Sequence, residues 1–181
     1  MMWRNTQDGY GLVSIILHWL VAVAVTGLFV LGLWMVELGY YHPWYQRAPD
    51  IHRSVGVLLF GAILTHWAWR YTNPRPETIG SVKERKAAAW VHRMLYALLY
   101  LLILSGYLIS TADGRGISAF GLFSVPASIS GLQNQADIAG EVHQWLAFTL
   151  IALTGLHVLA ALKHHFVDRD QTLKRMLSIR C

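Results

Sequence analysis

Four long apolar stretches limit this chain more tightly than any other feature of it. They run over residues 11–36, 51–71, 88–111 and 138–166. Each reaches the roughly 20 residues that a helix needs to cross the hydrocarbon of a bilayer. Backbone N–H and C=O groups cannot go unpaired in lipid, so stretches of this kind are read as helices. Charged residues make up only 14% of the chain, against about 25% in a soluble domain. The expectation is an all-α, integral membrane four-helix bundle, with residues 1–181 forming a single domain. The first stretch is too long for the core of a secretion signal, so it reads as a retained helix.

The basic residues set the expected orientation. Twelve of the fifteen lie at the N-terminus, between Arg70 and Arg93, or in the tail from Lys163 to Arg180. Only Arg47, Arg53 and Arg115 belong to the other side. The positive-inside rule then puts both termini and the second loop in the cytoplasm. Trp3, Trp34, Trp44, Trp69, Trp90 and Trp145 lie near segment ends, as interfacial belts require. The net charge of +5 is spent on topology, so no nucleic-acid partner is expected. The single cysteine, Cys181, rules out an internal disulfide and covalent c-type haem attachment.

Nine histidines in so uncharged a chain are the chemical anomaly. Ionisable groups inside membrane helices are costly and point to function. His143 and His157 are 14 residues apart, about 40° short of four full turns and about 21 Å along a helix. Both imidazoles therefore leave one helix face at two depths, which suits two stacked haems with imidazole on each iron. His52 on the second segment is the outer-level partner for His143. At the inner level two residues compete to pair with His157. His18 lies near the start of the first segment, and His66 repeats the 14-residue spacing after His52. Periodicity does not choose between them. Gly27, Gly32, Gly56, Gly61 and Gly155 would allow flat rings or neighbouring backbones to approach closely.

The chain resembles the bacterial cytochrome b561 family, which also takes in the cytochrome b subunits of hydrogenases. The resemblance rests on "HWL" at 18–20, "APDIHRSVG" around His52, "SGYLISTADG" at 105–114, "FGLFSVPA" at 120–127, "GLHVLAALKHHF" at 155–166 and "TLKRM" at 172–176. It implies a bundle with two haem b groups, His18 and His157 serving the inner haem and His52 and His143 the outer one. The family usually carries Arg where this chain has His66. His164 and His92 are expected to line a quinone pocket or bind propionate, and His165 to be a solvated interfacial residue. The resemblance also implies that the chain can oxidise periplasmic superoxide to oxygen and reduce ubiquinone. Arg115, Arg53 and more weakly Arg47 would steer the anion. The alternative is a haem-bearing membrane anchor passing electrons from a redox donor protein in a dehydrogenase or hydrogenase complex.

Overall fold

The computed structural model describes residues 3–177, so Arg180 and Cys181 lie outside the described residues. Helix α1 spans Leu12–Met35, α2 Arg47–Thr72, α3 Val82–Thr111 and α4 Gln135–Phe166. Strands β1 (Ile117–Ala119) and β2 (Phe123–Val125) form an antiparallel hairpin, and a short α5 covers Lys174–Leu177. Helices α1, α3 and α4 are long and apolar enough to cross a membrane. In the apolar stretch of α4 only 6% of residues are buried within the protein, and in that of α1 only 11%. Side chains so apolar and so little covered need lipid as their solvent. Helix α2, at 26 residues, is long enough, but His52, Arg53, Ser54 and His66 dilute its apolar character. The polar groups that make it chemically interesting also make it the least lipid-like of the four.

The chain forms two compact units. One takes the described residues of Met1–Ala22, Ala62–Tyr96 and Ala152–Cys181. Its anchor is Asn5, whose Oδ1 accepts from Gly11 N (2.9 Å) and Ser14 Oγ (2.7 Å) while its Nδ2 donates to Pro74 O (3.1 Å). This fixes the chain entering α1, through the Gly11 amide just before the helix and the Ser14 hydroxyl in its first turn. Gly11 has no alternative residue, because a Cβ there would lie 2.5 Å from the Arg4 backbone. Trp69 Nε1 donates to Ser14 Oγ (3.1 Å), joining α2 to the same network. Helix α3 starts six residues before its apolar run because Ser81 and Glu84 form a reciprocal cap. Ser81 N donates to Glu84 Oε2 at 2.9 Å, and Glu84 N to Ser81 Oγ at 3.4 Å.

The second unit comprises Val23–Gly61 and Ala97–Ile151. It contains the β hairpin, whose reversal passes through Phe120 and Gly121, both in the left-handed region (φ 50° and 72°). Ser54 Oγ of α2 donates to Ser118 O (3.3 Å) and accepts from Phe120 N (3.1 Å), so the hairpin is pinned to α2. Gln135 opens α4 and is buried, its Nε2 donating to Leu108 O at 2.9 Å.

Candidate functional site

Each unit contains its own group of imidazoles. In the second unit His52 of α2 faces His143 of α4, with ring centroids 6.2 Å apart and planes at 67°. His143 is held from α3. Its Nδ1 is 3.1 Å from Leu102 O and 3.0 Å from Ser105 Oγ, and Ser105 Oγ donates to Leu102 O at 2.9 Å. A carbonyl can only accept, so Nδ1 carries the proton and Nε2 keeps a free lone pair. A metal-binding histidine requires that tautomer, oriented through its other nitrogen. His52 Nδ1, by contrast, is buried without a hydrogen-bond partner. A glycine lies against each ring, closely at His143 and at ordinary contact distance at His52. A Cβ on Gly106 would stand 3.2 Å from His143 Cε1, and one on Gly32 3.5 Å from His52 Cε1.

In the first unit three imidazoles meet. His157 of α4 has His18 of α1 at 6.3 Å and His92 of α3 at 5.2 Å between ring centroids. His66 instead lies against Tyr96, Nδ1 to Oη 3.4 Å. Two imidazoles sharing one metal ion at about 2 Å from each ring nitrogen have centroids about 6 Å apart. The His52–His143 and His18–His157 separations match that value, and His92–His157 is shorter. The residues present therefore fit a group whose metal takes one imidazole on each side. Among the glycines expected to admit a ring, Gly32 touches His52, while a Cβ on Gly27, Gly56, Gly61 or Gly155 would meet nothing within 4 Å.

His164 sits at the end of α4, its Nδ1 2.7 Å from Asp170 Oδ2 and 3.2 Å from Asp168 Oδ2. Lys163 bridges Asp168 (2.7 Å) and Glu84 (2.9 Å) beside it. Burial pushes the Asp170 carboxyl up, but hydrogen bonds from Thr172 and His164 outweigh it and hold the group below its usual range. His165 is half-buried, packs on Phe166 at 4.8 Å and has an unpartnered Nδ1.

Arg53 and Arg115 come together in the second unit, lining a cavity of about 440 Å³ with Ser54, Ser110, Asp50 and Asp113. Arg47 is not part of the lining. Each arginine is matched by an acid. Arg53 pairs with Asp50, and Arg115 Nε donates to Asp113 Oδ2 at 2.7 Å. That guanidinium holds the Asp113 carboxyl below the usual carboxylate range. Sequence reasoning gave no role to Ser105, Gly106 or Tyr96. Ser105 and Gly106 lie in the "SG" of a quoted motif, but their use becomes visible only once α3 and α4 are side by side.

The profile of the prokaryotic cytochrome b561 family matches residues 9–178. The chain belongs to that family. Cytochrome b561 homolog 2 of Escherichia coli K12 is 49% identical over 98% of this chain and 95% of its own length. The probable superoxide oxidase CybB of Yersinia pestis is 30% identical over 93% of this chain and 95% of its own. Cytochrome b561 homolog 1 of Escherichia coli K12 is 28% identical over 91% and 94%. The protein is thus a membrane-embedded b-type cytochrome of an electron-transfer family.

Proposed function

We propose that this b561-family cytochrome carries two haem b groups in one four-span membrane domain and passes electrons from periplasmic superoxide to ubiquinone. His52 and His143 would hold the outer haem, and His18 and His157 the inner one. Both termini would lie in the cytoplasm, with the chain in the bacterial inner membrane. The observation that carries the reading is His143, whose Nδ1 is committed to Leu102 and Ser105 in the same unit as the cavity lined by Arg53 and Arg115. When bound, haem supplies a one-electron carrier, and the protein tunes it through axial ligation, burial and hydrogen bonding.

Arg53 and Arg115 orient the superoxide anion, which loses one electron and leaves as oxygen. Two such electrons and two protons convert ubiquinone to ubiquinol. His92 and His164 are the imidazoles that hold a quinone carbonyl or pass it protons. His164 suits this role because its Nδ1 lies 2.7 Å from Asp170 Oδ2, a contact that fixes the orientation of the ring. The kinship with a probable superoxide oxidase supports the donor.

A second reading, an electron conduit for a partner dehydrogenase or hydrogenase, is favoured by the pairing of each cavity arginine with an aspartate. The lining then has little net positive charge to attract an anion. Purified protein with xanthine oxidase as superoxide source and a soluble quinone analogue separates the two. Haem reduction followed by quinone reduction, both abolished by superoxide dismutase, is expected. Haem that stays oxidised until a co-purifying subunit is added rejects the superoxide reading.

A further inference from the structure

A separate feature of the first unit lies on the face of α3 that carries Val82, Arg85, Lys86, Ala89, Trp90 and Arg93. These positions recur at three- and four-residue steps, so they form one stripe of the helix. With Thr78 they line an open groove of about 450 Å³. Three cations enter it and no carboxylate does. Among the described residues none of the three is in an ion pair, and Arg93 instead lies over the Trp90 ring at 5.5 Å. The nearby acid on α3, Glu84, is committed to Ser81 and Lys163. Cations left without counter-charge around a concave surface call for an anion from outside the chain.

The surroundings of the groove identify the kind of anion. The cations stand at the start of the apolar run of α3, where Trp90 is 59% exposed and Met94, one turn on, is 43% exposed. Tryptophan at a segment end marks headgroup depth, and apolar side chains open to the outside continue along the helix. A ligand satisfying both halves has a phosphate at one end and acyl chains at the other. We infer that the Arg85–Lys86–Arg93 groove binds the headgroup of an anionic phospholipid, its phosphate on the cations and its acyl chains running past Trp90 and Met94. Ala89, the small residue between the cations, leaves the depression that the headgroup fills. Clusters of basic side chains at a membrane surface recognise anionic lipids in this way.

The test is native mass spectrometry of the haem-loaded full chain released from detergent containing equal amounts of phosphatidylglycerol and phosphatidylcholine. The wild type should retain phosphatidylglycerol in preference to phosphatidylcholine. Arg85→Gln and Lys86→Gln should each cut that preference about five-fold, and the variant combining both with Arg93→Gln should remove it. Lys83→Gln, on the same helix but outside the groove, should behave as wild type. The Soret band, read on every variant, shows that the fold is retained, and the two single variants keep the test decisive if the triple one fails to assemble. Equal retention of both lipids by the wild type, or an undiminished preference in both single variants, overturns the inference. So does displacement of the lipid by millimolar inorganic phosphate, which would make the groove a site for a free anion.

Discussion

Gly106→Ala puts a single methyl group against the ring that the account depends on. The new Cβ would lie 3.2 Å from His143 Cε1 and 3.5 Å from Nδ1, when carbon atoms normally rest at about 3.5–4.0 Å. The ring would have to withdraw from α3. Its anchors, Leu102 O and Ser105 Oγ, are on α3 too, so withdrawal lengthens both contacts. Weakening them costs about 1–2 kcal/mol, and about 1.4 kcal/mol corresponds to a tenfold change in affinity. Alanine meanwhile favours the helix by up to about 1 kcal/mol over glycine, so the fold should survive.

Gly32→Ala is the internal control. Its Cβ would meet His52 Cε1 at 3.5 Å, an ordinary contact, and no hydrogen bond at Nδ1 holds that ring in place. Titrating haem into apo-protein, read by the Soret band and by reduced-minus-oxidised spectra, should show about tenfold weaker binding at one of two sites for Gly106→Ala. Gly32→Ala should stay close to wild type. Equal effects of the two substitutions, or wild-type binding by Gly106→Ala, would refute the claim that His143 is pinned from α3 in its ligand orientation.

Further outcomes follow from other contacts. His18→Ala should lose the haem of the first unit while His66→Ala keeps it, because His66 is turned to Tyr96; the reverse pattern in haem-to-protein ratios would transfer the ligand role to His66. Asp113→Asn removes the acid matched to Arg115 and leaves the cavity lining more positive, so superoxide-driven haem reduction should speed up, more at low than at high ionic strength. Ser81→Ala breaks the cap of α3 and should cost about 1 kcal/mol, seen as a lower thermal midpoint. Asp170, with its carboxyl held below the usual range, lends stability that is present above its unfolded pKa of about 4 and lost as pH falls through the lower folded value. Asp170→Asn should therefore lower the thermal midpoint at pH 7 and flatten the acid limb of a thermal-melt pH profile, so that the variant and wild type converge as the pH falls below the folded value.

What could be read from the sequence follows the strength of each local signal. Apolar length located all four long helices, and the observed C-terminal ends of α1, α2, α3 and α4 fall within one residue of the expected ones. The N-terminal ends of α2, α3 and α4 extend three to six residues further, because capping by Ser81 and Glu84 and early polar turns such as Arg47–Asp50 do not register as hydrophobicity. The hairpin at 117–125 is too short for periodicity to reveal, and its reversal through Phe120 and Gly121 appears only in the structure. The pairing of His52 with His143 was legible as spacing and level. Which inner histidine faces His157 was not, because a 14-residue repeat gives His66 the right face of α2 but cannot show that Tyr96 meets it there. The hold of Leu102 and Ser105 on His143 belongs to two helices brought together and has no one-dimensional signature.

Haem stoichiometry of the purified, fully loaded protein tests the central claim most directly, measured against chain concentration for wild type, His52→Ala and His157→Ala. Two haem b per chain with bis-imidazole low-spin spectra in the wild type, and one in each variant with a different spectral component lost, is the predicted result. A single haem in the wild type, or the same component lost from both variants, would contradict the assignment of one haem to each group of imidazoles.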